Sequence, residues 1–593
     1  MTKDLTRGTP WKLIVQFALP IMAGNLLQQL YNTADTIIVG NFNGQQALSA
    51  VGACASLTVL FTALAIGFSI GAGVLISQYF GASREQELRQ YAATAIVLML
   101  AMGLLMSLIG VCSARFLLAR ALGTPEALLP LTLLYFRIYA AGLVFQFGYN
   151  IAAALLRALG DSKATLYFLL VSSVLNVVLD LLFVAGFHMG VAGAAAASLL
   201  GNAAGILVVL PYLLSKKRTF RFVLRADGLR ETGRDLASSC SSFATDKASR
   251  IFSGLTVNLL LMYFVGNIGV ALYAVYSQLR FILRILAGGA LQTISTLGSM
   301  LYGERDFYGL RKMLFLLSKY TYALVAALMA GLFCFSAPFL NSYGIAAEPD
   351  TVLSLRIMLL SLPFLWLNDL LARLYPSVQR QRLSVLLLTL QNVVLKILLL
   401  LLCVAAISRL HWRSVPAVAV WCLLVELLSP AVTLLREKRT CGNVALLGLE
   451  DQADRSCHSF SITGKAENVA DIHREIDLFC QQNGIPRNKG VLLAIAFEEA
   501  ALNTINHNEH VSMIDICLLL EEGSLIVRIR DDGAPFDPLA FVDDEDILQM
   551  NNIRLLERLT DQKTYTRIMN MNNTVLSIRL EAAENDGAND GTC

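Results

Sequence analysis

The sequence predicts an all-α polytopic membrane protein, with twelve transmembrane helices in two six-helix repeats, joined to a small C-terminal α+β domain. Three observations predict it. Of 593 residues, 56% are apolar and only 15% charged, with a mean hydropathy of +0.60. An ordinary soluble domain carries about 25% charged residues, which argues against a soluble globular enzyme of this length. The net charge of +3 also hides a division: residues 451–593 hold 12 Lys+Arg against 25 Asp+Glu, and residues 1–450 hold 35 against 19. An apolar basic block is followed by a short acidic one, as in a membrane domain with a soluble domain attached. The third observation is an internal repeat, set out below.

Apolar runs long enough to span lie near 13–39, 47–79, 91–118, 127–153, 164–187, 191–214, 237–265, 270–300, 313–339, 351–375, 384–408 and 415–435. The first continues far beyond the core of a signal peptide and lacks a small-residue cleavage site, so it reads as a retained helix. Alternate connecting segments carry 22 Lys/Arg, among them Arg84, Arg157, Lys216, Arg305 and Lys438, whereas the other set carries only Arg115, Arg120, Arg409 and Arg413. The positive-inside bias therefore puts both termini and the soluble domain in the cytoplasm. Basic membrane-flanking loops account for the positive charge, so no nucleic-acid partner is expected. The 11 cysteines are scattered without metal-ligand spacing and read as small core residues.

The block repeats itself in order. Val39-Gly40-Asn41 and Ala47–Val51 recur as Val265-Gly266-Asn267 and Ala271–Val275. Tyr79-Phe80-Gly81 recurs as Leu301-Tyr302-Gly303, and Asn176–Asp180 as Asn392–Lys396. The offsets of 226, 222 and 216 residues make two six-helix halves of the same topological sense. Such repeats are a transporter signature, with sites near mid-membrane. The domain boundaries are 1–222 and 223–436 for the halves, 437–457 for a linker, 458–581 for the soluble domain and 582–593 for a disordered tail.

Leu19-Pro20, Tyr31–Asp35, Leu156–Lys163, Asn176–Asp180 and His188–Ala195 together resemble the multidrug and toxic compound extrusion (MATE) family. The similarity covers roughly residues 5–440 and is strongest in the first half. Asp35 and Asp180 stand inside apolar runs, where a carboxylate costs about 2.5–3.5 kcal/mol on insertion scales. Asn176 and Asp180 are four apart, on one helix face, and Ser198 could add a hydroxyl. Two carboxylates, an amide and a hydroxyl make a hard-oxygen site suited to Na⁺, or to H⁺ if the acids are desolvated. A helix-bridging hydrogen-bond network is the structural alternative. The resemblance implies a first-half coupling-cation site at the positions of Asp35, Asn176, Asp180 and Ser198, where relatives usually have Thr in the last place.

The second half departs from the family pattern. Asp246, Lys247 and Arg250 fall inside the seventh span, Arg280 and Arg284 in the eighth, Asp369 and Arg373 in the tenth, and Lys396 replaces the counterpart of Asp180. Intramembrane cations must face protein or water. They read either as the wall of a cavity for an anionic or zwitterionic small molecule or as internal neutralisation, Asp246 and Asp369 pairing with neighbouring arginines.

In the soluble part, a strand at 459–462, helices at 467–481 and 488–507, a strand pair at 512–520 and 524–530 and a closing strand at 574–580 are expected. Glu499, Asn503 and His507 share one stripe of the second helix. An Asn oxygen can ligate Mg²⁺ and a Glu can act as general base. Asp531-Asp532-Gly533 follows a strand, placing a carboxylate for an adenine amine and a glycine for close backbone approach. These features, with Ile553–Asp561, Tyr565 and Asn573, resemble the GHKL ATPase fold in its anti-sigma-factor serine-kinase branch. The resemblance implies Mg·ATP on Asn503, His507, Asp531 and Gly533, Glu499 as base, serine/threonine kinase chemistry, and a protein partner like an anti-sigma antagonist. Where the family places lid glycines, this chain has Met550, Asn551 and Asn552, which weakens the expected phosphate grip and leaves a degenerate, partner-binding module as the alternative.

The leading expectation is an inner-membrane antiporter, driven by Na⁺ or H⁺, that exports small organic compounds among membrane lipid. A cytoplasmic ATP-binding domain, attracted by its net −13 to basic inner loops, would regulate it. The rivals are a flippase for lipid-linked precursors and a membrane sensor signalling through the soluble domain.

Overall fold

The computed structural model describes residues 10–82, 84–214, 229–304, 307–410, 414–441, 457–508, 511–521, 524–537, 558, 560–568 and 571–579. The chain divides into two compact units, one holding Ile14–Ala445 and the other Met1–Leu13 together with Leu446–Cys593. The lid positions Met550, Asn551 and Asn552, most of Ile553–Asp561, and the tail 582–593 lie outside the described residues.

The first unit is helical: α1 (Pro10–Gly81), α2 (Glu85–Phe116), α3 (Leu129–Ala141), α4 (Leu143–Ala158), α5 (Ser162–Asp180), α6 (Gly190–Leu214), α7 (Leu229–Phe264), α8 (Asn267–Gly303), α9 (Phe307–Cys334), α10 (Ser336–Ser342), α11 (Pro349–Leu359), α12 (Leu362–Ser377), α13 (Gln381–Thr389), α14 (Leu395–Leu410) and α15 (Ser414–Cys441). Among the described residues nine helices are long and apolar enough to cross a membrane, or ten if the α3–α4 pair, bent by 44°, is one span. Two helices separate this tally from the expected twelve. The first is α1, which counts once although Gly44 (φ 78°, ψ −178°) breaks its 72 residues into two helices that match two of the expected runs. The second is α7, which is long enough but carries Asp246, Lys247, Arg250 and a serine-rich stretch, and so fails on polarity.

The repeat is visible in backbone geometry. Gly266, between α7 and α8, adopts φ 80°, ψ −164°, almost the conformation of Gly44. Only glycine occupies that region without strain. The structural counterpart of Gly266 is therefore Gly44 and not Gly40, which the residue match had suggested. Both fifth spans also carry a π-helical segment, Leu181–Gly186 directly after Asp180 and Leu390–Val394 around Asn392. Such segments mark insertions that re-aim side chains, frequently at functional sites.

Each half has its own core. Phe136, Leu143, Phe147 and Leu155 anchor the first, and Tyr276, Leu362, Leu365 and Trp421 the second. The halves meet where repeat motifs cross. A Cβ on Gly81 would stand 2.1 Å from the Met300 carbonyl oxygen, and one on Gly303 would stand 2.1 Å from that of Gln78. The helices touch backbone to backbone, as small residues permit in membranes. Gln78 Nε2 then donates to the carbonyls of Ser377 (3.0 Å) and Pro376 (3.3 Å), tying the end of α12 to the same contact. Gly81→Leu or Gly303→Leu is expected to force these ends apart. Spin labels at Ala82 and Glu304, in a cysteine-free background, should report a separation longer by several ångströms. An unchanged separation would mean that the contact does not hold the halves together.

The second unit is a five-stranded antiparallel sheet in the order β1 (Cys457–Thr463), β2 (Met513–Glu521), β3 (Ser524–Asp531), β5 (Met571–Arg579), β4 (Gln562–Ile568), covered by α16 (Ala470–Gln482) and α17 (Arg487–Asn506). Ile514, Ile516 and Leu518 of β2 and Val527 and Ile529 of β3 alternate inward against Phe479 and Phe497. Strand β4 was not expected from the sequence.

Candidate functional site

Two polar regions stand out within the helical unit, and they are built on opposite electrostatic plans. In the first half, Asp180 is fully buried and Asn176 is 6% exposed, one turn apart on α5. Asp35 lies half-buried on α1 and within Coulombic reach of Asp180; Tyr135 feels both. Asp35 Oδ1, Asn176 Oδ1 and both carboxylate oxygens of Asp180 have no hydrogen-bond donor among the described residues. A buried charge without a partner is expensive. Acceptor oxygens gathered without donors form a place that a cation, including a proton, would stabilise. Ser198 is half-buried on α6, which packs along α5.

Among the described residues of the second half, every buried carboxylate has an arginine. Asp369 takes a two-pronged bond from Arg284 (Nε 2.8 Å, Nη2 3.0 Å) and a third contact from Arg250 at 3.3 Å. Arg250 Nε also donates to Asp246 at 2.5 Å. Of the two readings open for Arg280, the structure takes internal neutralisation, and Arg280 is not part of the cavity wall. It pairs with Glu426 at 2.9 Å, and Glu426 also accepts from Asn368 (2.9 Å) and Gln391 (2.7 Å). Lys396 sits 5.5 Å from the Tyr273 ring centroid. This half already holds fixed cations where the first half holds open acceptors.

A cavity of about 540 Å³ lies between the halves. Asp246, Lys247, Arg250, Arg284, Asp369 and Arg373 line it, as does Arg157 from the end of α4. Sequence reasoning assigned Arg157 to a flanking loop and missed Glu426 entirely. The first omission had little signal, since Arg157 stands beside the turn residues Gly160 and Asp161. The second had one, a lone carboxylate in the apolar run Trp421–Leu428. Asp35, Asn176 and Asp180 do not line this cavity.

In the sheet unit, the end of α17 and the turn after β3 come to one corner, where the His507 ring stacks on Phe536 at 5.3 Å. Asn503 is wholly buried, Asp531 is 2% exposed, and Glu499 lies half-buried one turn up the helix. Burial pushes the neighbouring Glu498 carboxyl upward, against the pull of His473 at 3.6 Å. Asp531 Oδ1 already accepts from Gly533 N (3.0 Å) and Asn572 Nδ2 (2.8 Å), and Asn572 also donates to the Ala534 carbonyl (2.7 Å). Asp532 caps Ser512 through its backbone N and hydroxyl. A Cβ at Gly533 would stand 2.8 Å from Asn508. The corner brings the expected residues together, and one carboxylate oxygen of Asp531 is bonded within it. Among the described residues no group of three His, Cys, Asp or Glu could hold a metal.

A family model described as MatE matches residues 20–182. A solved structure described as the outward-facing conformation of a multidrug resistance MATE family transporter of the MOP superfamily aligns over 74% of this chain and 98% of its own, with a TM-score of 0.65 and 22% identity. The helical unit has the MATE transporter fold. This makes the chain a multi-pass membrane protein. Among relatives, the "Probable multidrug resistance protein YpnP" of Bacillus subtilis (strain 168) is 35% identical over 218 residues, or 36% of this chain and 48% of that protein. The chain thus spans about half the length of this relative. YoeA of the same strain, also named a probable multidrug resistance protein, is 24% identical over 370 residues, covering 61% of this chain and 79% of that one. In the MATE fold described here, the acceptor cluster belongs to the first lobe and the basic cavity lies between the lobes.

Proposed function

We propose that the protein is a secondary antiporter of the cytoplasmic membrane, exporting small organic compounds in exchange for Na⁺ or H⁺, with both termini and the sheet domain inside the cell. The observation that carries this reading is the contrast between lobes. Asp35 and Asp180 are gathered without a cationic partner among the described residues, whereas Asp246, Asp369 and Glu426 each have an arginine. A cation entering the first lobe neutralises the acid pair, and its departure restores the repulsion between them. Their separation from the cavity means that the two sites communicate through the helices, α1 carrying both Asp35 and the cavity residues Pro20 and Gln28. A charge crossing ~100 mV yields ~2.3 kcal/mol, enough to drive export without nucleotide hydrolysis. The multidrug names of the relatives support the substrate class. Efflux of a fluorescent drug from proteoliposomes under an imposed Na⁺ or pH gradient tests the reading.

The sheet domain is proposed as a regulator that responds to Mg·ATP or to a protein partner. Asp531, Asn503 and Gly533 would contact the nucleotide, with Glu499 and His507 at the rim. Because Asn572 shares Asp531 Oδ1 and the lid glycines are replaced, binding should be weak. Titration of residues 455–593 with Mg·ATP is expected to give heat that Asp531→Asn removes. A chain ending at Arg439 should still transport under a gradient. No heat would leave only the partner-binding role, and complete loss of transport by a folded truncation would contradict regulation. The basic cavity favours a second reading, movement of a phosphate-bearing lipid-linked precursor.

A further inference from the structure

The cavity between the lobes is lined by five cationic side chains and two carboxylates. Ion pairing consumes only part of this set. Arg284 grips Asp369 through two nitrogens, and Arg250 bridges Asp369 and Asp246. Neither carboxylate makes an ion pair with the remaining cations, and Arg157, Lys247 and Arg373 have no salt bridge among the described residues. Arg157 Nε and Arg373 Nη1 are buried without a hydrogen-bond partner. The Arg373 guanidinium is held by an aromatic face, 5.1 Å from the Phe243 ring centroid, so its donors remain available to a ligand. Three like charges converge from α4, α7 and α12, that is, from both lobes, on one partly enclosed space.

We infer that this cavity binds an amphiphilic oxyanion, its charged group held by Arg157, Lys247 and Arg373. Its apolar body would lie against Ile21, Leu166, Leu169, Phe281 and Ile285, which complete much of the wall. The volume of about 540 Å³ is that of a pocket for one drug-sized molecule. Lys247 and Arg373 also feel Arg250 and Arg284, and Lys247 feels Arg373; like charges held close in a medium of low dielectric repel one another, and an incoming anion relieves that surplus while giving Arg157 a partner. Guanidinium groups match carboxylate, sulfonate and phosphate geometry. The Arg250–Asp246 and Arg284–Asp369 pairs fix the helices that present Lys247 and Arg373, and act as positioning pairs. The same arrangement repels a lipophilic cation. As a statement about what is exported, the inference rests on the antiporter reading; as a statement about binding, it stands apart from it.

The test uses the purified full chain without a gradient, with carboxyfluorescein as anionic probe and rhodamine 6G as cationic probe, followed by fluorescence anisotropy. The anion should bind at least tenfold more tightly than the cation. Lys247→Gln, Arg373→Gln and Arg157→Gln should each weaken the anion by about tenfold or more, as expected for a lost hydrogen bond to a charged group. Lys247→Arg should keep most of the affinity, and Arg84→Gln at the surface all of it. Repeating the measurement in bilayer discs with and without phosphatidylglycerol separates the sources: competition by that lipid assigns the oxyanion to a headgroup, and its absence assigns it to a soluble organic acid. Equal or tighter binding of rhodamine 6G by the wild-type chain would overturn the inference, as would Gln variants that fold and bind carboxyfluorescein unchanged. A chain that binds the anion but moves nothing keeps the inference and removes the antiporter. A chain that exports rhodamine 6G under a gradient and ignores the anion does the reverse.

Discussion

Replacing Asp180 with Asn is expected to abolish cation-driven transport while leaving the protein folded. The amide has almost the same shape, so α5 and its π-helical continuation keep their packing. What disappears is the negative charge on a side chain whose two oxygens find no donor among the described residues. Loss of about 3 kcal/mol of cation binding corresponds to about a hundredfold in affinity, which would leave the site empty under ordinary gradients. Stability should move the other way. An unpartnered buried carboxylate is a cost to the folded state, and Asn removes it, so the variant should unfold at the wild-type temperature or above. Asp35→Asn should behave alike but with a smaller stability gain, because Asp35 is only half-buried. Transport by both variants at the wild-type rate under the same gradient would contradict the assignment.

The opposite result is expected at Glu426. This side chain is 1% exposed, bonded to Arg280, Asn368 and Gln391, and Asn368 in turn accepts from Ser429 at 3.0 Å. Removing one member of a buried pair leaves the other charge uncompensated, at a cost of about 3–5 kcal/mol. Arg280→Met should therefore sharply lower the thermal stability of the detergent-purified protein, and Glu426→Gln should do nearly the same. The double variant should recover much of the loss, since replacing a whole buried pair is often neutral. If Glu426→Gln is as stable as wild type, the pair is not a structural tie. Its acid would then have to be considered with those of the first lobe.

The two predictions differ in sign because the same feature, a carboxylate in an apolar run, has two resolutions. Sequence reasoning recognised the feature at Asp35 and Asp180 but passed over Glu426. It could not tell which acids had found arginines, since partners such as Arg280 and Glu426 lie far apart along the chain and meet only after the lobe packs. The two halves were legible because turn glycines and helix-crossing glycines leave short motifs. The register between them was off by four residues at Gly44, where conformation and residue match disagree. The span tally differs from twelve for physical reasons. The two runs of α1 are joined through the kink at Gly44 and count once, and a span bearing Asp246, Lys247 and Arg250 is apolar only over part of its length.

In the sheet domain, α17, β2 and β3 were read to within a residue or two because apolar side chains recur there at the helical and strand periods. Strand β4 was missed because Gln562-Lys563-Thr564-Tyr565-Thr566-Arg567-Ile568 is mostly polar. Among the described residues it is an edge strand paired with β5 alone, where polar residues protect against further pairing. The grouping of Asn503, His507 and Asp531 at one corner was legible from their order. The capture of Asp531 by Asn572 was not, because it depends on β5 lying beside β3.

The central claim is that ion and substrate move in opposite directions through one chain, with the first-lobe acids carrying the ion. Substrate-dependent ion flux in proteoliposomes tests it most directly, with radioactive sodium and an internal pH dye read in parallel after substrate is added to one side. The account predicts that substrate accelerates the flux of one of these ions in the opposite direction, and that Asp180→Asn removes the acceleration. Substrate moving down its own gradient with neither ion responding, in wild type and Asp180→Asn alike, would contradict it.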